Sequence, residues 1–94
     1  MYVVLVTFGI AAGQESVFQA RVLAQAHESL EWEAGCLQFH VSRAESGAAE
    51  FLLYEVYTDR AAFEHHLASA HYKRFDSDVA ALVVRKDVTT WIRE

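Results

Sequence analysis

LYEVYTDRAAFEHHLASAHY, residues 53–72, changes its periodicity halfway along. Aromatic and β-branched side chains alternate around Glu55 in its first residues, as they do in a strand. Thr58-Asp59 interrupts that pattern, and Asp59 is placed to cap a helix. In that helix Phe63 and Leu67 sit four apart on a buried stripe, with His66 on or beside it and His65 turned to solvent. A break is expected at Ser69, and His71 follows it. A strand end carrying Glu55 and Tyr57 thus stands beside a short helix and loop carrying His66 and His71. Such a layout lines a pocket with groups that exchange protons near neutral pH.

Upstream, Cys36–Arg43 alternates Leu37, Phe39 and Val41 with Gln38, His40 and Ser42, which is a strand pattern. The polar connection Glu45–Glu50 joins it to Phe51–Tyr57, so the two strands are expected to form an antiparallel hairpin. Gln14–Glu33 reads as a helix with Phe18, Val22, Ala26 and Leu30 along one stripe, Leu23 beside it, and Gly35 at the C-cap position. Tyr2–Ile10, YVVLVTFGI, is an unbroken apolar run, the signature of a strand covered on both faces. Downstream, Tyr72–Val84 reads as a helix with Phe75, Val79 and Leu82 at core spacing, and Asp87–Arg93 as a closing strand. The order β-α-β-β-α-β over residues 1–94 predicts one ferredoxin-like α+β domain, with helices on one face of an antiparallel sheet. The other face is apolar too, which points to a second copy packed sheet on sheet, a homodimer of the dimeric α/β-barrel type.

Composition narrows the function classes. The chain is 53% hydrophobic and 13% aromatic with no proline, rich for 94 residues, which again favours a partner copy. Eight basic against thirteen acidic residues leave a net charge of −5, and the basic ones are scattered, so neither nucleic acid nor an anionic membrane is an expected partner. A single cysteine, Cys36, gives no disulfide framework and reads as packing. The sequence opens directly on strand-like residues and holds no long apolar span, so a cytoplasmic protein is expected. No glycine-rich phosphate loop is present. His65, His66 and His71 lack the spacing of a helical metal pair, so no metal and no cofactor are expected.

Three segments together resemble the antibiotic biosynthesis monooxygenase family. Glu33-Ala34-Gly35-Cys36-Leu37 followed by Phe39 is similar to the family's E-P-G-C-L-x-F. Leu53-Tyr54-Glu55-x-Tyr57 is a second match. Ala62-Phe63-x-x-His66-x-x-Ser69-x-His71-Tyr72 is similar to A-F-x-x-H-x-x-S-P-H-F. Ala34 and Ala70 depart from the pattern where the family often has proline, which affects loop direction more than chemistry. His27-x-Ser29-x-x-x-Glu33-x-Gly35 is also similar to the autoinducer-2 phosphate isomerase branch of the superfamily, where Glu55, His66 and His71 have counterparts.

The resemblance implies a cofactor-independent oxygenase that joins O₂ to an electron-rich aromatic, a quinol or an anthrone. His66 or His71 would act as the base, with Glu55 or Tyr54 in support. Phe63, Tyr57, Tyr72 and Trp91 would wall the ring. Two alternatives stay open at this stage. One is isomerisation of a small carbonyl compound, with His27 and His71 moving the proton and only Lys73 and Arg74 available to hold a phosphate. The other is a dimeric ligand-binding module without catalysis. Glu55, buried in an apolar strand, needs a histidine, tyrosine or arginine partner.

Overall fold

A computed structural model describes residues 1–94. Strand β1 (Tyr2–Ile10) runs between β3 (Glu50–Tyr57) and β4 (Val83–Ile92), and β2 (Cys36–Arg43) lies outside β3. All neighbours are antiparallel, giving the ferredoxin-like order β2-β3-β1-β4. Side chains alternate across a strand, so Val4, Val6 and Phe8 of β1 share a face with their ladder partners Glu55, Leu53 and Phe51. Helices α1 (Glu15–Trp32) and α3 (Ala70–Val79) cover that face. There the rings of Phe8, Phe18, Phe51 and Phe75 meet with centroids 5.0 to 6.5 Å apart. Truncating a core ring of this kind costs about 3–5 kcal/mol.

The short helix α2 (Arg60–Ala68) begins on the Asp59 cap and ends at the Ser69 break that the sequence predicts. Asp59 Oδ1 accepts from the Ala62 N–H at 2.8 Å. Ser69 closes α2 and opens α3: its hydroxyl donates to the His66 carbonyl at 2.7 Å and accepts from the Tyr72 N–H at 3.2 Å. The buried residue of α2 is His66, whereas Phe63 is half-buried and Leu67 is exposed. The helix buries its histidine more fully than either member of its apolar pair.

Three expectations need correction. The buried stripe of α1 is Phe18, Val22, Gln25, Ala26 and Ser29, while Leu23 and Leu30 face solvent. The Ser29 hydroxyl donates to the backbone carbonyl of Gln25 at 2.8 Å and accepts from Gln25 Nε2 at 3.3 Å, while Gln25 Oε1 is buried without a partner. Gly35 is not a left-handed cap; α1 ends on Glu33 in an extended conformation, with its N–H on the Ser29 carbonyl. The glycine serves close approach instead, since a Cβ at Gly35 would lie 2.5 Å from Cβ of Ala62 in α2. Finally, the helix expected over Tyr72–Val84 stops at Val79, and β4 starts at Val83, ahead of Asp87. Val83 pairs with Ile10 and Arg85 with Gly9 across a register shift, and this long-range pairing overrides the helical spacing of Phe75, Val79 and Leu82. No helix is long and apolar enough to cross a membrane.

Candidate active site

Glu33 occupies the extended residue where α1 ends, and its side chain is only 4% exposed. The Glu33 carbonyl accepts from the Cys36 N–H at 3.1 Å, and the Gly35 carbonyl from the Thr58 N–H at 2.9 Å. With Gly35 against Ala62, these bonds pull the start of α2 onto the exit of α1, and they set His66 opposite Glu33.

Nδ1 of His66 lies 2.8 Å from Oε2 of Glu33. Nε2 of His71 approaches the same oxygen to 2.7 Å, but the oxygen is off the line of the ring N–H, so this is a close contact and not a hydrogen bond. Glu33 Oε1 and His71 Nδ1 are buried without partners. Trp32 stands edge-on to the His71 ring, centroids 5.5 Å apart. Burial lowers the His66 pKa and outweighs the raising effect of Glu33, so the ring is neutral at pH 7. A neutral His66 that donates from Nδ1 to Glu33 carries its lone pair on Nε2. That is the tautomer a general base requires.

The second polar pair is Glu55 and Tyr57, side by side on the helix-facing side of β3. The Tyr57 hydroxyl donates to Glu55 Oε1 at 2.6 Å, which supplies the partner that a buried carboxyl needs. Burial pushes the Glu55 pKa up to about 7, offset in part by the Tyr57 hydroxyl and the charge of Lys86. Burial and the Glu55 charge raise Tyr57 well above the usual phenol range, so it orients Glu55 and does not itself ionise. Cys36 is pushed up to about 12, first by burial and then by Glu33 and Glu55, which keeps it a packed thiol.

Between the sheet and α2–α3 lies a cavity of about 40 Å³. Val6, Phe8, Phe39, Leu53, Phe63, Tyr72 and Phe75 make its walls. Glu55, His66 and Lys86 are the ionisable groups that reach into it besides Tyr72. The Tyr72 and His66 rings lie 5.0 Å apart, and the Phe63 and His66 rings are stacked at 6.3 Å.

Of the residues singled out in the sequence, the structure gathers His66, His71, Glu55, Tyr57, Phe63 and Tyr72 around this region. Three others it places elsewhere. Tyr54 is on the opposite face of the sheet, its hydroxyl accepting from Arg93 at 2.6 Å. Trp91 pairs with Val3 on that same outer face and is 56% exposed. His27 is on the solvent side of α1, 3.0 Å from Glu31. Sequence pattern leaves two residues of the site unmarked, Glu33 and Lys86. Glu33 lies inside the stretch Glu33–Leu37, where nothing local points to chemistry. Lys86 precedes the closing strand expected over Asp87–Arg93, which leaves its face undefined.

Glu33, His66 and His71 also form the cluster able to hold a metal ion, with one donor atom from each within 4.8 Å of the others. The His66–Glu33 separation and direction are those of a hydrogen bond, which uses the same donor atoms for proton chemistry.

The sequence matches the model of the antibiotic biosynthesis monooxygenase family over residues 1–77. No protein of curated function matches it. Among solved structures, the protein PA3566 from Pseudomonas aeruginosa superposes with a TM-score of 0.90 at 26% identity, covering 99% of this chain and 93% of its own. Rv0793 from Mycobacterium tuberculosis gives 0.89 at 26% identity, over 99% and 94%. A Nitrosomonas europaea protein, itself a candidate antibiotic biosynthesis monooxygenase, gives 0.93 at 22% identity, over 99% and 98%, a likeness of fold.

Proposed function

We propose that this chain, which belongs to the antibiotic biosynthesis monooxygenase family, is a cofactor-independent oxygenase of electron-rich phenolic aromatics such as quinols and anthrones. The observation that carries the reading is the buried His66–Glu33 pair beside an apolar cavity. Glu33 fixes the His66 tautomer, and Nε2 of His66 takes the phenolic or enolic proton of the substrate. The resulting anion passes an electron to O₂, and the radical pair closes to a hydroperoxide at the ring carbon. Loss of water leaves a carbonyl, so one oxygen atom enters the product, the other leaves as water, and the substrate supplies all the electrons. The apolar walls restrict water and side reactions.

The cavity as it stands is smaller than the roughly 150 Å³ that holds a benzene-sized ring. Substrate entry therefore requires the half-buried Phe63 and Tyr72 to swing outward at the mouth. Isomerisation through His27 draws no support from a residue paired with Glu31 in solvent.

The working unit in this proposal is a homodimer in the cytoplasm. Leu52 and Trp91, on the face of the sheet away from the helices, are 44% and 56% exposed. A second copy packed there would cover that surface.

The test is oxygenation under isotopically labelled O₂ with a panel of anthrones and quinols. One labelled atom in the product supports the reading. Hydrogen peroxide as the only reduced oxygen product, or no turnover by folded protein, sinks it.

A further inference from the structure

The cavity contains one lysine or arginine, Lys86, and the proton-transfer scheme above leaves it without a task. Its side chain is 32% exposed, with Nζ 5.6 Å from the Phe8 ring centroid and 5.7 Å from that of Tyr72. Nζ donates to the Tyr72 hydroxyl at 3.1 Å. The nearest carboxylate is Asp76, 3.9 Å away and 61% exposed, which is a weak pairing. An ammonium has three donors, and the Tyr72 hydroxyl uses one. Lys86 is thus a cation held between two rings at the edge of an apolar space, short of a strong counter-charge. Glu55 shares the cavity and feels the charge of Lys86, but burial keeps its carboxyl protonated up to about pH 7, so the anion left for Lys86 to hold is the one formed when His66 removes a phenolic proton. In a cavity of low polarity a fixed positive charge stabilises that anion far more than water-exposed charge does.

We infer that Lys86 is the anion-holding residue of this cavity, its Nζ moving from the Tyr72 hydroxyl to the oxyanion of the bound phenol or enol. The Lys86–Tyr72 bond is then also the latch that closes the mouth: the substrate oxygen replaces the tyrosine hydroxyl as acceptor, and Tyr72 is released to make room for the ring. The substrate class narrows accordingly. The cavity favours aromatics that carry an ionisable hydroxyl or enol over isosteric ethers and hydrocarbons.

The inference rests on the pocket assigned above but not on reaction with O₂, and its test needs no turnover. The probe is para-nitrophenol, whose absorbance separates anion from acid. Titrated into the wild-type protein, the anion is expected to bind roughly tenfold more tightly than the acid, which lowers the apparent pKa of the bound probe by about one unit. Lys86→Met abolishes this preference, and Lys86→Gln does the same if the methionine variant packs differently against Phe8. Asp76→Asn, which frees Lys86 from its competitor, keeps or increases it. Wild type that shows no preference or does not bind the probe, or a folded Lys86 variant that retains the preference, overturns the inference. Oxygen chemistry separates the two proposals. A protein that prefers the anion through Lys86 yet oxygenates nothing refutes the oxygenase reading alone, and one that oxygenates without the preference refutes this inference alone.

Discussion

Nδ1 of His66 is 2.8 Å from Oε2 of Glu33, a residue 33 positions earlier in the chain and equally buried. The carboxylate decides which ring nitrogen carries the proton, and so which one is able to accept a proton from a substrate.

Glu33→Gln keeps the shape of the side chain and removes the charge. The amide can donate to Nδ1, which moves the ring proton to Nε2 and takes away the base. Turnover is expected to fall by about 10²–10⁴-fold, the usual worth of general acid–base catalysis, with the far-ultraviolet circular dichroism unchanged. A variant with wild-type turnover would show that Glu33 does not set the tautomer.

Glu55 gives the protein a pH-dependent stability. Its carboxyl titrates at an ordinary value of 4.5 when unfolded and at about 7 when folded, because burial penalises the charge. The folded state holds the proton more tightly, so the stability this group contributes is present below about pH 4.5 and is lost as the pH rises to about 7. His66 runs the other way. Its folded pKa lies below 6.5, so its contribution is present above that value and lost as the pH falls. In Glu55→Gln only the first effect is removed. Between pH ~4.5 and pH ~8 the variant should gain on the order of 2–3 kcal/mol relative to wild type, read from urea midpoints at each pH. A constant difference across that range would place the Glu55 pKa near its ordinary value.

Gly35→Ala puts a methyl group where Ala62 already stands, 2.5 Å away. Overpacking of this kind costs about 1–3 kcal/mol. Here it also pushes α2 off the exit of α1 and separates His66 from Glu33. The melting temperature and turnover should fall together, and Gly35→Ala/Ala62→Gly should restore both. Full activity in a destabilised Gly35→Ala protein would mean that this contact holds the fold without setting the site.

Leu52→Asp and Trp91→Asp place charge on the outer face of the sheet. Sedimentation should give twice the 10.6 kDa of one chain for wild type and a single chain for the pair of substitutions. A monomeric wild type at micromolar concentration would contradict the sheet-on-sheet dimer.

Local chemistry made much of the fold legible. Asp59 and Ser69 cap helices through atoms only three residues away, β1 follows from its unbroken apolar run, and β2 from the alternation along it. His66 could be found because its position in α2 is set by helical spacing. The parts that were not legible depend on contacts far apart in sequence. Glu33 is buried because Gly35 lets Ala62 close over the end of α1, and its role appears only when residue 66 is beside it. Lys86 faces the cavity because β4 pairs with β1 from Val83 onward, a register that apolar spacing through Leu82 conceals. Tyr54 and Trp91 are aromatic and near the right segments, but strand parity carries them to the far side of the sheet.

The most direct test of the account is oxygen uptake by chelator-treated protein with anthrone or a quinol, comparing wild type with His66→Ala. The account predicts uptake that survives removal of metal ions and falls at least about a hundredfold in the variant. Uptake that needs a metal ion restored, or that persists in a folded His66→Ala protein, would contradict it.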